Sequence, residues 1–490
     1  MNILIVGDIV GSPGRAILRK ALPVARERFQ IDYVIANAEN AAGGFGVTKE
    51  IVDEILDLGI DCLTTGNHVW DKKEILGFID LLPQLLRPAN YPARQPGRGS
   101  HVGTAKRSKV PVATLNLSGR VFMSGAIDDP LDTLGHALRQ GLPGDNIVLR
   151  GGIHDAGNIW YTGKGGVPGA FLTVAGYRNE RPVITGKRLV LESQYVRVQN
   201  IEFRNFVVVV RHQERNHWRY SHHIEILNNR FSTSDVAIYF CCNDGLIQGN
   251  TFDPAFYAVY LMHGSGNVIR GNTIRNTMKY SIHIYDEDKY GSSGERSPKI
   301  KDLLVENNVI DGSQTRSGII LSGGDYSMPP IEISGVLIRN NLIMNNATGG
   351  IVFQGDGWIR NIEIYNNTLH RNPGGGIRMD PDKRAENVAI INNILSGHRS
   401  NHLYSNGNVR HLIVRKNLYW DPTSVGEGVR DSSPVIGNPR FGNSAAGNFH
   451  LAMGSAAIGK GEPLSKVTTD KDGKQRPIQS AYDMGAYEHE

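Results

Sequence analysis

Apolar residues follow two different patterns along this chain. Near the N-terminus, short apolar runs alternate with stretches in which apolar residues recur every three or four positions. Residues 3–6 read as a buried strand, followed by a loop holding Gly11, Ser12, Pro13 and Gly14 and a helix over 16–29. Residues 33–36 read as a second strand and 62–65 as a third. Between them lies a helix in which Ile51, Ile55, Leu56 and Leu58 share one face and Thr48 is the N-cap. Strand and helix alternate, so this part is predicted to be α/β with a parallel sheet.

From about residue 144 the pattern changes to short apolar alternations punctuated by asparagine and glycine. The second residue of a recurrent Asn-Asn or Gly-Asn pair falls at Asn229, Asn250, Asn272, Asn308, Asn341, Asn367 and Asn393, with Asn417 after Lys416. The successive spacings are 21, 22, 36, 33, 26, 26 and 24. Such a period indicates a solenoid whose units bury their apolar faces only by stacking. Asparagines at one bend can stack into a hydrogen-bonded ladder. The fold predicted for 144–490 is a right-handed parallel β-helix.

A second repeat runs in phase. The triplets Ile238-Tyr239-Phe240, Val259-Tyr260-Leu261, Ile282-His283-Ile284, Ile319-Ile320-Leu321, Ile351-Val352-Phe353 and Ile377-Arg378-Met379 align without gaps. Side chains alternate along a strand, so the middle members form an outward row of Tyr239, Tyr260, His283, Ile320, Val352 and Arg378. Two positions on, the next outward row is Cys241, Met262, Tyr285, Ser322, Gln354 and Asp380. Aromatic faces pack on sugar rings and Arg378 can neutralise a uronate, which makes Tyr239, Tyr260, His283 and Tyr285 candidate substrate-binding residues for a polysaccharide. An exposed sheet face also favours tyrosine and arginine without any ligand. Arg378, Asp380 and Lys289 are the candidate catalytic residues here, with Asp382 and Lys383 beside them. The run Asp286-Glu287-Asp288 is a candidate Ca²⁺ site, since hard cations take oxygen ligands; it is equally readable as a solvated loop tip.

Composition supports the division. Asparagine occurs 6 times in residues 1–140 and 33 times in 141–490, and glycine, at 57 of 490, is well above its usual share of about 7%. The net charge of +5 has no basic run to concentrate it, so neither a nucleic-acid polymer nor a membrane is expected as partner. Cys62, Cys241 and Cys242 have no metal-ligand spacing and are expected as free thiols. No secretory signal is read at the N-terminus, which predicts a cytoplasmic protein, whereas the β-helix alone would suggest an exported one. A monomer is expected.

At the carboxyl ends of the three N-terminal strands lie Asp8, Glu39-Asn40 and Asn67-His68, where ligands bind in such sheets. Carboxylates, amides and an imidazole on one rim suit a divalent-metal site acting on a phosphorus centre; singly, each is also an ordinary turn former or helix cap. The segments Gly7-Asp8-Ile9-Val10-Gly11, Asn37-Ala38-Glu39-Asn40, Thr65-Gly66-Asn67-His68 and Leu86-Arg87-Pro88-Ala89-Asn90-Tyr91-Pro92 resemble the YmdB-type bacterial metallophosphoesterases of the calcineurin-like superfamily. The resemblance implies hydrolysis of cyclic nucleotides or other small phosphodiesters with two divalent transition metals of the Fe/Mn type. It implies that Asp8, Glu39, Asn40 and Asn67 are metal-site residues, Glu39 bridging, and that His68 protonates the leaving oxygen. The resemblance fades after Met123, about half the family's length. The later histidine-bearing strand ends of that family have no counterpart beyond Gly152-Ile153-His154-Asp155.

The remaining chain is similar to the broad pectate-lyase-like β-helix family, with an opening segment at Gly144-Asp145-Asn146-Ile147 and a closing one at Thr468-Thr469-Asp470 with Gly485-Ala486-Tyr487-Glu488. That resemblance implies fold alone. The organisation expected is a partial α/β phosphoesterase-like domain over 1–125, a junction over 126–143 and the β-helix over 144–490. Three functions follow: a polysaccharide lyase, hydrolase or binder with an incomplete phosphoesterase head; a two-metal phosphodiesterase with a binding appendage; or a chimeric chain with no intact activity.

Overall fold

Four parallel strands, Ile3–Asp8, Tyr33–Asn37, Cys62–Thr64 and Leu85–Leu86, lie side by side in sequence order. This computed structural model describes all residues except 92–94, 120–129, 212–220, 287–299, 324–331, 356, 383, 423, 479 and 490. The described chain divides into two units, Met1–His136 and Ala137–Glu490. In the first, Val34, Ala36 and Leu63 of the sheet pack on Leu18 and Leu22 of helix Gly11–Phe29 and on Val52 and Ile55 of helix Lys49–Asp57. Thr48 caps the second helix, its side chain accepting from the Ile51 amide. The segment Gly11 to Gly14, expected as a loop, is instead the first turn of the first helix. Pro13 lacks only an amide that has no partner in a first turn, and the Gly14 amide donates to the Val10 carbonyl at 3.1 Å.

In the second unit each coil contributes one strand to each of three parallel sheets. Their registers run from Asn146–Leu149, Ile153–Asp155 and Asn158–Tyr161 down to Val409–Arg415, Leu418–Trp420 and Gly426–Glu427. Strands between the two end coils are hydrogen-bonded to the coils before and after them, and the interior is filled by stacked like residues. In the third sheet Ile238, Val259, Ile282, Ile319, Ile351, Ile377 and Leu403 form one inward column, all fully buried. In the second, Phe203, Phe231 and Phe252 stack at 4.9 Å.

The expected asparagine ladder is present in full. From Asn229 to Asn417 each backbone amide and each side-chain Nδ2 donates to Oδ1 of the next ladder asparagine, at 2.9–3.2 Å. The residue before it bends the chain with positive φ, as at Asn307 (57°) and Asn366 (52°). Asp431 ends the ladder by accepting from Asn417 and from the Tyr419 hydroxyl. Near the C-terminus Arg476 and Glu488 form an ion pair with both side chains fully buried, and Arg476 also donates to the Gly485 carbonyl at 2.8 Å. All three cysteines are buried free thiols.

Candidate functional site

In the first unit, parallel strands deliver polar groups to the rim above their carboxyl ends. Asp8 Oδ2 accepts from Asn40 Nδ2 at 2.6 Å. Glu39 is fixed by Asn37, which receives the Glu39 amide at 2.9 Å and donates Nδ2 to Oε1 at 3.2 Å. The Glu39 carboxylate fills the space where a side chain on Gly66 would begin, since a Cβ there would lie 2.0 Å from Oε2. Asn67 is exposed on the following turn, and His68 holds Asp71 through Nδ1 at 2.8 Å while packing edge-on against Phe45.

Two buried oxygens on this rim, Glu39 Oε2 and Asn40 Oδ1, have no hydrogen-bond partner. Unpartnered buried acceptors are costly in isolation and suit a cation. In chemistry Asp8, Glu39 and Asn40 could hold part of a divalent-ion shell, and the structure brings these three together, whereas it shows no contact between them and Asn67. A two-ion shell needs more. Among the described residues no group of three His, Cys, Asp or Glu side chains is placed to hold a metal. His154, expected as the nearest counterpart of a later histidine motif, lies in the second sheet of the solenoid with Nε2 at 2.9 Å from the Arg150 carbonyl oxygen.

In the solenoid, Tyr239, Tyr260, His283, Ile320, Val352 and Arg378 are direct register partners on successive strands, continued by Tyr404 and Glu427. The next row is less regular. A bulge after Phe240 sets Cys241 opposite His263, not Met262, and Cys241 is buried, so the expected Cys241 and Met262 pairing does not form. Tyr285, Ser322, Gln354 and Asp380 are in register as expected.

The row divides into two parts. Tyr260 and His283 stack at 4.6 Å with rings 8° from parallel, flanked by Tyr239 at 5.5 Å from Tyr260 and by Tyr285 at 5.3 Å from His283. Burial and the nearby Lys279 push the His283 imidazole down to about 3, so it is neutral and a weak base. Arg378 and Asp380 pair at 3.6 Å, with the guanidinium 5.1 Å from the Tyr404 ring. Ile320 and Val352 stand between these groups and are buried at 2% and 8% exposure, contrary to the expectation of an open strip. Four strand spacings of about 4.8 Å put Arg378 roughly 19 Å from Tyr260. Asp382 is exposed at the turn beyond Asp380. Lys289, Glu287, Asp288 and Lys383 lie outside the described residues, so the Ca²⁺ and Lys289 expectations have no structural counterpart to examine.

Sequence reasoning missed two features. Tyr257 and Tyr280 complete the aromatic group, Tyr280 lying 4.7 Å and Tyr257 5.4 Å from His283. Their signal was a tyrosine two residues ahead of consecutive triplets. Above Tyr239 the face opens into a cleft of about 640 Å³, lined in part by Lys187, Arg188, Arg211, Asp235 and His263. Arg211 there pairs with Glu192 at 3.2 Å and lies over the Trp160 ring.

Residues 4–149 match the family model of YmdB-like protein, 181–293 that of the periplasmic copper-binding protein (NosD), and 290–457 that of the right handed beta helix region. The chain therefore joins a YmdB-like phosphoesterase-type segment to a right-handed β-helix. The first match ends at Leu149, the last residue of the first strand of the solenoid. The 2′,3′-cyclic-nucleotide 2′-phosphodiesterase of Bacillus subtilis (strain 168) is 44% identical over 130 residues, 26% of this chain and 48% of that protein. The chain spans about half the length of the curated relatives it matches. Solved structures similar to the chain include the mannuronan C-5 epimerase A-module of Azotobacter vinelandii, at 11% identity and a TM-score of 0.40, covering 64% of this chain and 97% of that one. A pectate lyase is 15% identical with a TM-score of 0.38, covering 72% and 90%.

Proposed function

We propose that the β-helix binds an anionic polysaccharide lengthwise along the outward face of its third sheet. The observation that carries this reading is the aromatic platform of the in-register Tyr239, Tyr260 and His283 with Tyr285 beside them, running into a cleft whose wall carries Lys187, Arg188 and the Glu192-paired Arg211 against a single lining carboxylate, Asp235. Ring faces offer apolar area to sugar rings at little entropic cost, and the cationic wall favours carboxylated units. Lyase chemistry needs a base at C5 and neutralisation of the carboxylate. Arg378 is suited to the second task, but its charge is shared with Asp380, and His283 is too weak a base for the first. Binding is therefore the primary activity, and cleavage at the Arg378 end the secondary one. A screen against polyuronates and neutral glucans tests both. Saturable, salt-sensitive binding of polyuronates is expected. No binding to any polymer overturns the proposal, and release of unsaturated uronate ends adds lyase activity.

A second reading rests on the first unit, where Glu39 Oε2 and Asn40 Oδ1 are unpartnered and the identity to a phosphodiesterase is high. The residues present would hold a divalent ion incompletely. When bound, such an ion supplies an electrophile toward a phosphodiester. Asp8, Glu39 and Asn40 would position it, and His68, oriented by Asp71, would face the leaving group. Turnover of a chromogenic phosphodiester with added Mn²⁺, abolished by Asp8→Ala, supports this reading; no turnover in the wild type rejects it.

A further inference from the structure

Outside both proposed sites, the first strand of the four-stranded sheet presents a bare edge with apolar surface on each side of it. The Asn2 amide donates to Asp32 Oδ2 and the Asn2 carbonyl accepts the Asp32 amide, each at 2.7 Å, so Asn2 faces the second strand. Backbone groups alternate in direction along a strand, so those of Ile3, Ile5 and Gly7 point to the open edge. On one face of that edge Ile3 and Ile5 are 40% and 65% exposed, because the hairpin of Ser100–Thr104 and Pro111–Leu115 covers only Tyr33, Cys62 and Leu86 of the sheet. On the other face lies helix Gly11–Phe29, which runs back antiparallel to the strand, the Asn2 Nδ2 donating to the Phe29 carbonyl at 2.9 Å. This helix turns its arginines toward the next one: Arg15 and Arg19 bond Glu54 at 2.8 and 2.7 Å, and Arg26 bonds Asp61 at 3.1 Å. At 3.6 residues per turn Ile17, Ala21 and Val24 lie about 180–240° round the helix from Arg15, on the flank above the open edge. All three are exposed. Natural edges are blunted by charge, proline or a covering element, and the run Ile3-Leu4-Ile5-Val6-Gly7 has neither charge nor proline.

We propose that a second copy of this chain covers this edge, the two first strands pairing antiparallel about a twofold axis at Ile5, in place of the monomer expected from the sequence. A lone peptide strand would satisfy the backbone and leave the helix flank bare. A second copy brings a strand edge, a helix flank and an Ile3 and Ile5 face at matching offsets, the self-complementarity that a twofold contact requires. Ile5 then faces Ile5 of the partner subunit, and Ile3 faces Gly7 of the partner subunit. Each pair exchanges both of its backbone hydrogen bonds. A Cβ added at Gly7 would meet nothing within 4 Å, so there is room for the isoleucine. The helix, crossing from the first strand to the second, meets its mate at two strand spacings, roughly 10 Å, the distance at which helices pack. The axis reverses the two helices, so Ile17 lies against Val24 of the partner subunit on either side of Ala21.

The test is sedimentation equilibrium of the full-length chain over a range of concentrations, with cross-linking to check the geometry. The wild type is expected to pass reversibly between monomer and dimer, so that dilution restores the open edge. Ile5→Lys sets two like charges against each other at the axis, and Ile17→Glu charges the helix flank. Each is expected to weaken dimerisation at least tenfold, with the melting temperature of the dilute protein unchanged, since both positions are exposed in the single chain. In an antiparallel hydrogen-bonded pair the Cα atoms lie about 5.5 Å apart, within reach of a disulfide. Ile5→Cys is therefore expected to cross-link two chains under mild oxidation, whereas Val102→Cys, similarly exposed on the hairpin, is not. The native cysteines are buried. A wild type that stays monomeric at every concentration, a dimer that both charge variants leave intact, or cross-linking no faster in Ile5→Cys than in Val102→Cys overturns the proposal.

Discussion

Asn308 shows how one residue serves three coils. It is fully buried, accepts from the Asn272 amide and side chain at 2.9 Å, and donates to the Ile269 carbonyl at 2.9 Å and to Asn341 at 3.0 Å. Replacing it with alanine takes the Asn308 partner from the Asn272 amide and from the Ile269 carbonyl, at about 1–3 kcal/mol each, while Asn272 Nδ2 keeps the Ile247 carbonyl and Asn341 Oδ1 keeps the Asn308 amide. Asn308→Ala should therefore lower the unfolding free energy by about 3 kcal/mol or more, measured by denaturant titration. An exposed asparagine such as Asn179 should tolerate alanine within about 0.5 kcal/mol.

His398 continues a shorter ladder, its Nδ1 accepting the Asn372 amide at 3.0 Å. Burial pushes its imidazole well below the usual range, and His283 and His370 are pushed down to about 3 and about 4. Folded, all three stay neutral, whereas the unfolded chain takes up protons near pH ~6.5. Their contribution to stability is thus complete above that pH and is lost as pH falls toward 4, at about 1.4 kcal/mol per unit per histidine. His398→Asn keeps an acceptor in the ladder and removes one titration. Its stability at pH 7 should stay near that of the wild type, while the decline between pH 6.5 and 4.5 becomes shallower; an unchanged slope would show that His398 does not contribute.

At the scale of elements, what was legible in the sequence was whatever repeats with the coil. A bend that must place an amide acceptor at every level leaves asparagine at Asn229 through Asn417, and the alternation of inward and outward residues makes the third-sheet triplets align. What was illegible depends on contacts between coils. The bulge that displaces Cys241 leaves no mark in its own residues, and the burial of Ile320 and Val352 is set by their surroundings. The Pro-Gly step at Pro13 reads as a break, although a first helical turn accepts it. On the phosphoesterase-like rim, Asp8, Glu39 and Asn40 were legible from their position after each strand. The need for glycine at Gly66, to admit the Glu39 carboxylate, emerged only from the geometry.

At the scale of the whole molecule, the two units differ in how well they close. The solenoid satisfies each coil by the next and ends its ladder at Asp431. The four-stranded sheet has its first strand at an edge among the described residues, with Ile5 65% exposed, and Ile17 and Val24 of the adjoining helix 68% and 63% exposed. An open strand edge beside apolar surface is a weak point. Limited proteolysis followed by mass spectrometry should remove the first unit early and leave a fragment beginning near Ala137; equal resistance of both units would contradict this.

The measurement that bears most directly on the central claim is calorimetric titration of a polyuronate oligosaccharide into the wild type and Tyr260→Ala. Tyr260 lies at the centre of the platform, between Tyr239 and His283. A tenfold or greater loss of affinity in the variant, with its melting temperature preserved, is the expected result. Equal affinity in the two proteins would show that the third-sheet face is not the polysaccharide site.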